Sequence, residues 1–144
     1  FYPWGGLTRR GGAGGGLVHI EVARTFTLNG ALRANGGQGT ADSGEDNQRL
    51  GGGSGGGILL TCWVLEGSNG VLSVRGADGR GGGTYGGGGG GGRIAVWFHR
   101  DETSTNTWSF DVSGGAGGFG SNNGQPGTLF WSRVLMRGTT FTVR

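Results

Sequence analysis

The apolar positions of this chain come in short alternating runs, and each long run begins where a stretch of glycine stops. "GGGLVHIEVA" starts at Gly14, "GGGILLTCWVL" at Gly55, "GGGRIAVWFH" at Gly90 and "PGTLFWSRVL" at Pro126. The last glycines before these runs are Gly16, Gly57, Gly92 and Gly127, so the spacings are 41, 35 and 35 residues, a repeat period. Alternation predicts β-strands with one buried face. Val18, Ile20 and Val22 share a face in the first run, as do Ile94, Val96 and Phe98 in the third. The second run is apolar on both sides, with Ile58, Leu60 and Cys62 on one face and Leu59 and Trp63 on the other, which predicts a strand covered twice.

A second alternating element follows each long run: "ALRANG", "VLSVRG", "SFDVSG" and "TFTVR". The pattern points Leu32 and Ala34, Leu72 and Val74, Phe110 and Val112, and Phe141 and Val143 inward. It points Arg33, Asn35, Ser73, Arg75, Asp111, Ser113, Thr142 and Arg144 outward. Between the two elements, "TFTLNG" adds Phe26 and Leu28 inward, and the Asn-Gly pairs at Asn29 and Asn69 supply turn chemistry.

Each unit therefore reads as strand, turn, strand and a glycine-rich return. One such unit cannot cover its own apolar faces, whereas stacked units can. The expected fold is all-β, a β-solenoid of about four repeats with glycine-rich corners. It forms a single repeat domain over residues 1–144, with units at 1–15 (partial), 16–56, 57–91, 92–126 and 127–144 (partial). Positive φ at the corners, Gly76 and Gly114 among them, would account for the glycines there. Some returns would be polyproline-II-like. A β-sandwich of the same strands is the competing arrangement.

Composition narrows this further. Glycine supplies 40 of 144 residues, against about 7% in ordinary proteins, but only two prolines and no G-X-Y period accompany it, which excludes collagen. Five Trp and seven Phe gathered into strands exclude a disordered chain. All twelve basic residues are arginine, only Arg9 and Arg10 are adjacent, and the net charge is +3, so nothing marks a nucleic-acid groove. No apolar stretch is long enough to span a membrane and no signal peptide is visible. The first residue, Phe1, fits a processed product or a piece of a longer chain.

At this level the sequence resembles the glycine-rich parallel β-helix repeats of secreted and cell-surface proteins, which are similar to the pectin-lyase-like fold. The resemblance covers residues 11–144 and rests on "FTLNGALRANGG", "NGVLSVRGADGRGGG" and "GGGGGGGRIAVWF". It implies a right-handed β-solenoid in a structural, adhesive or passenger role outside the cell or on its surface.

No catalytic motif is present, and neither an enzyme nor a cofactor is expected. A P-loop needs a lysine the chain lacks, Cys62 has no partner cysteine, and His19 and His99 fall at polar-facing strand positions. Asp42, Glu45 and Asp46 could offer oxygens to calcium, and Asp101 and Glu102 form a second acidic pair, but neither spacing matches a calcium loop, so solvated loops and no metal site are expected. Arg33, Arg75 and Asp111 stand on one outward ladder, read as a charge ladder or, for Arg33 and Arg75, a glycan-facing surface. Tyr2, Trp4 and Tyr85 are further aromatic candidates for glycans. The chain opens on "FYPWGG" and closes on "TTFTVR", so Phe1, Tyr2, Trp4, Phe141 and Val143 are the expected contacts with other copies. The expected function is that of an extracellular structural protein assembling head to tail into a filament or surface fibre. The alternative is a segment of a larger cell-surface adhesin or carbohydrate-binding β-helix, its partner a surface polysaccharide.

Overall fold

The computed structural model describes residues 9–41, 50–79, 86–103, 108–118 and 120–135. The described strands are β1 (Arg9–Arg10), β2 (Leu17–Thr27), β3 (Ala31–Arg33), β4 (Thr40–Ala41), β5 (Gly57–Gly67), β6 (Val71–Ser73), β7 (Arg93–Thr103), β8 (Ser109–Asp111) and β9 (Thr128–Arg133). β2, β5, β7 and β9 form a four-stranded parallel sheet in that order, and β3, β6 and β8 a three-stranded parallel one. β1 and β4 pair antiparallel.

The interior lies between the two parallel sheets. Val18, Ile58, Ile94 and Leu129 stand opposite one another in register, as do Ile20, Leu60, Val96 and Trp131. From the short strands Leu32, Leu72 and Phe110 form the corresponding row. Ile58, Leu60, Leu72, Ile94 and Val96 are buried, because each has a neighbouring strand on both sides and the opposite sheet in front, and Val74, just past β6, is buried in the same core. The outermost rows are only partly covered: Leu129 and Phe110 are exposed. There Trp131 packs edge-on against Trp108 and Phe110, with ring centroids 5.7 and 5.2 Å apart, and Trp108 Nε1 donates to the Gly67 carbonyl at 3.1 Å.

The expected β-solenoid of about four coils is not what forms. The strands separate into two small parallel sheets of four and three strands, with no helix among the described residues. The reason lies in the glycine segments. They are not corners between strands but a layer of their own, tied by backbone hydrogen bonds. Gly12 N donates to Gly51 O and Gly15 N to Ser54 O; Gly52 and Gly55 donate likewise to Gly87 and Gly90, and Gly88 and Gly91 to Asn122 and Gln125. A second column, residues 34–39, 74–79 and 112–117, is cross-linked to the first by bonds such as Gly37 N to Ala13 O, Gly53 N to Gly37 O and Ala77 N to Gly53 O.

Within the first column the donors recur every third residue, the period of a polyproline-II-type helix, which has no internal hydrogen bonds and offers its backbone outward. The expected positive φ at Gly76 and Gly114 is also corrected. Among the described glycines only Gly67 and Gly120 have positive φ. Glycine is required by crowding instead: a Cβ on Gly76 would overlap the Gly89 carbonyl, and one on Gly114 the Gly124 carbonyl. Read along residues 51–56 and 87–92, two of every three positions are crowded; the open third carries Ser54 there and Asn122 and Gln125 in residues 122–127, where Gly124 and Gly127 are crowded in turn. The triplet escapes a search for G-X-Y because its open position is often itself glycine.

The expectation for the second long run is corrected as well. Ile58, Leu60 and Cys62 are buried, whereas on the opposite face Leu59 is half-buried and Trp63 exposed, so over residues 58–63 β5 is fully covered on one face only; the adjacent Val64 and Leu65 are both buried. Equivalent strand positions are Leu17, Gly57, Arg93 and Thr128, so Gly57 belongs to β5 itself rather than to the glycine run before it.

Candidate functional site

Three surfaces carry side chains able to bind something. The first is the outer face of the three-stranded sheet. Arg33, Ser73 and Asp111 share one row, and two residues on, Asn35, Arg75 and Ser113 follow the strand ends. The structure thus brings Arg33 and Arg75 to one face but on different rows. Its polar groups are held in place from below. Asn35 Oδ1 accepts from Ser73 Oγ at 2.7 Å and from the Arg75 amide at 2.9 Å. Asp78 Oδ1 receives the Arg75 guanidinium at 2.7 Å and the Ala116 amide at 2.8 Å. Asp111 Oδ1 accepts from the Ser113 amide at 3.0 Å and hydroxyl at 2.6 Å, which hold its carboxyl below the ordinary carboxylate range, with a smaller lowering from the Arg75 charge.

Arg75 stands between two open clefts. One, of about 180 Å³, is lined by Asn35, Gln38, Arg75 and Asp78 over the glycine backbone; the other, of about 410 Å³, by Arg75, Asp111, Ser113 and Asn123. The exposed groups include fixed donors and acceptors, and polar surface exceeds apolar surface in both clefts. That inventory suits a ligand rich in hydroxyls, to which guanidinium donates and carboxylate and amide oxygens accept.

The second surface is the outer face of the four-stranded sheet. In β2 two residues, Ala23 and Arg24, lie opposite the single Trp63 of β5, a bulge that ends the regular ladder. Beside it a cleft of about 440 Å³ is lined by Glu21, Thr61, Trp63 and His99. Trp63 stacks on His99 with centroids 4.2 Å apart, and Trp97 on Phe130 at 4.7 Å. His99 is therefore half-buried rather than a free surface histidine, and its Nδ1 is enclosed without a hydrogen-bond partner among the described residues. Sequence reasoning placed His99 on the correct face and missed the stacking, because neither strand register nor the bulge can be read from one strand alone.

Cys62 lies under this face, buried, with its thiol pushed up to about 11 by desolvation first and then by Asp101. A thiol so protonated is a poor nucleophile at neutral pH. Asp101 Oδ1 is engaged by the Thr103 hydroxyl at 2.6 Å, and Glu102 pairs with Arg100 at 2.7 Å. His19 is exposed. No group of three or more metal-ligating side chains occurs among the described residues. Asp42, Glu45, Asp46 and Tyr85 lie outside the described residues.

The third surface comprises the two ends of the stack, where β2 and β3 on one side and β9 and β8 on the other have no further strand among the described residues. Leu17, 74% exposed, marks the first end, and Leu129 the last. The expected assembly contacts Phe1, Tyr2, Trp4, Phe141 and Val143 lie outside the described residues. No helix among the described residues is long and apolar enough to cross a membrane.

Comparison with known proteins yields no match to a family model, to a curated protein or to a solved structure.

Proposed function

We propose that the chain is an extracellular structural module without catalytic turnover, whose Arg75 face rests against the hydroxyl-rich polysaccharide of a cell surface. The observation that carries this reading is the placement of Arg75 between two polar clefts whose acceptors, on Asn35, Asp78 and Asp111, are already fixed by backbone amides. Such groups lose little freedom when a ligand arrives, so weak individual contacts accumulate along an extended partner. An array of cell-surface polysaccharides tests it. Binding that is abolished by Arg75→Ala and weakened by Arg33→Ala supports the reading; no binding, or binding indifferent to both changes, refutes it.

A second reading is head-to-tail assembly of copies into a filament. The open parallel edges of both sheets favour it, since an unpaired strand edge is a template for another strand. Two side chains in the glycine layer oppose it.

A further inference from the structure

The four glycine segments of the first column, residues 11–16, 51–56, 87–92 and 122–127, occupy equivalent places, fixed by the register of the strands they lead into. Two series of equivalent positions are informative. In the series 13, 53, 89 and 124, a Cβ on Gly53 would overlap the Ala13 carbonyl, one on Gly89 the Gly53 carbonyl, and one on Gly124 the Gly89 carbonyl. Every member with a segment before it is glycine. The first member has none before it among the described residues and is alanine.

The series 15, 55, 91 and 126 looks the other way along the stack. Gly15, Gly55 and Gly91 each donate an amide hydrogen to the following segment, at Ser54, Gly90 and Gln125. A Cβ at each would first overlap a carbonyl of the second column, that of Ala34, Val74 or Val112, and would also strike a backbone amide of the following segment, Gly56 at 2.5 Å, Gly92 at 2.7 Å and Gly127 at 2.6 Å. The fourth member is Pro126, which has no N–H to donate and carries a ring where the next amide would lie.

Suppose a second copy continued the layer beyond residues 122–127. Its Ala13 methyl would enter the space of the Gly124 carbonyl, its Gly16 amide would meet the Pro126 ring, and its Gly14 carbonyl would receive no hydrogen. Both obstructions fall in the same joint, and no internal joint of the first column contains either.

We infer that Ala13 and Pro126 block residues 122–127 from being continued by residues 11–16 of another copy of this chain, and that an otherwise complementary head-to-tail contact lies beneath them. The closure blunts the open sheet edges alongside, in the way prolines and bulges protect edge strands elsewhere. It is independent of the polysaccharide reading.

The experiment compares the unaltered protein with Pro126→Gly and with Ala13→Gly/Pro126→Gly by light scattering coupled to gel filtration, and by electron microscopy. The unaltered chain is expected to be monomeric. The double variant is expected to form linear oligomers at concentrations at least about tenfold lower than any at which the unaltered chain associates, with Pro126→Gly between them. Circular dichroism establishes that each variant keeps its strands. A folded double variant that stays monomeric overturns the inference, and so does an unaltered chain that already polymerises through these faces. If the double variant does not fold, Pro126→Gly alone decides by the same readout. Polysaccharide binding by the monomeric double variant would leave the proposed function standing while this inference fell.

Discussion

Leu60 and Gly89 are both buried, and one methyl group has opposite meanings for them. Leu60 belongs to the space between the sheets, where each carbon removed from water contributes to stability and each carbon deleted leaves a void. Gly89 belongs to the layer where backbones touch backbones, with its amide bonded to the Ala77 carbonyl at 2.8 Å and no room for a Cβ. The sheets are specified by what their side chains fill. The glycine layer is specified by the side chains it lacks, and its cohesion comes from hydrogen bonds and close carbonyl contacts. One chain thus closes two kinds of interior side by side, and a glycine content that would disorder most proteins becomes a packing requirement.

The largest effect is expected from a branched side chain at Gly89. Gly89→Val is expected to abolish the cooperative fold, a loss above about 3 kcal/mol, since the carbonyl it strikes belongs to hydrogen-bonded backbone with nowhere to move. Far-UV circular dichroism without a thermal transition would be the readout. Leu60→Ala comes next, at about 2–5 kcal/mol in denaturant titration, from a cavity opened between the sheets. Asn35→Ala should follow at about 1–3 kcal/mol, because it leaves the nearly enclosed Ser73 hydroxyl and the Arg75 amide without their shared acceptor.

Smaller effects sharpen the account through pH. Asp111 has a lowered folded value, so the folded chain binds fewer protons than the unfolded one in the acid range. Its contribution is present above the ordinary carboxylate value and is lost as pH falls through the lowered one. Asp111→Asn should flatten that acid slope. Cys62 acts at the other end: its folded value of about 11 lies above the unfolded one, so stability declines as pH rises from about 8.5 towards 11. Cys62→Ser, which does not titrate there, should remove the decline seen in alkaline melts.

Much of the sheet was legible from alternation. Ile58, Leu60, Ile94 and Val96 were assigned inward, and they are among the most buried side chains. Phe110 was assigned inward too, yet it lies in the last described row of its sheet and is exposed, because alternation reports a face and not whether a neighbour covers it. The glycine layer was not legible. Its positions differ only in which backbone atom occupies the absent Cβ, and a run of identical glycines carries no mark of that. The Arg75 face lay between: outward positions identified Arg33 and Arg75, but the fixing of Asp78 and Asn35 by amides of other segments needs the register. Ala13 and Pro126 stand out only once the strand register aligns the four segments.

Crowding rather than backbone conformation demands glycine in this layer, and moving a single methyl group along one series separates the two. Gly89 does not have positive φ, so an uncrowded glycine in its conformation would gain about 0.4–1 kcal/mol on replacement by alanine. Thermal denaturation of Gly89→Ala beside Ala13→Gly reads the difference in sign. Gly89→Ala is expected to lower the melting temperature markedly and Ala13→Gly, at an exposed position of the same series, to change it little. A melting temperature that rises in Gly89→Ala would contradict the account.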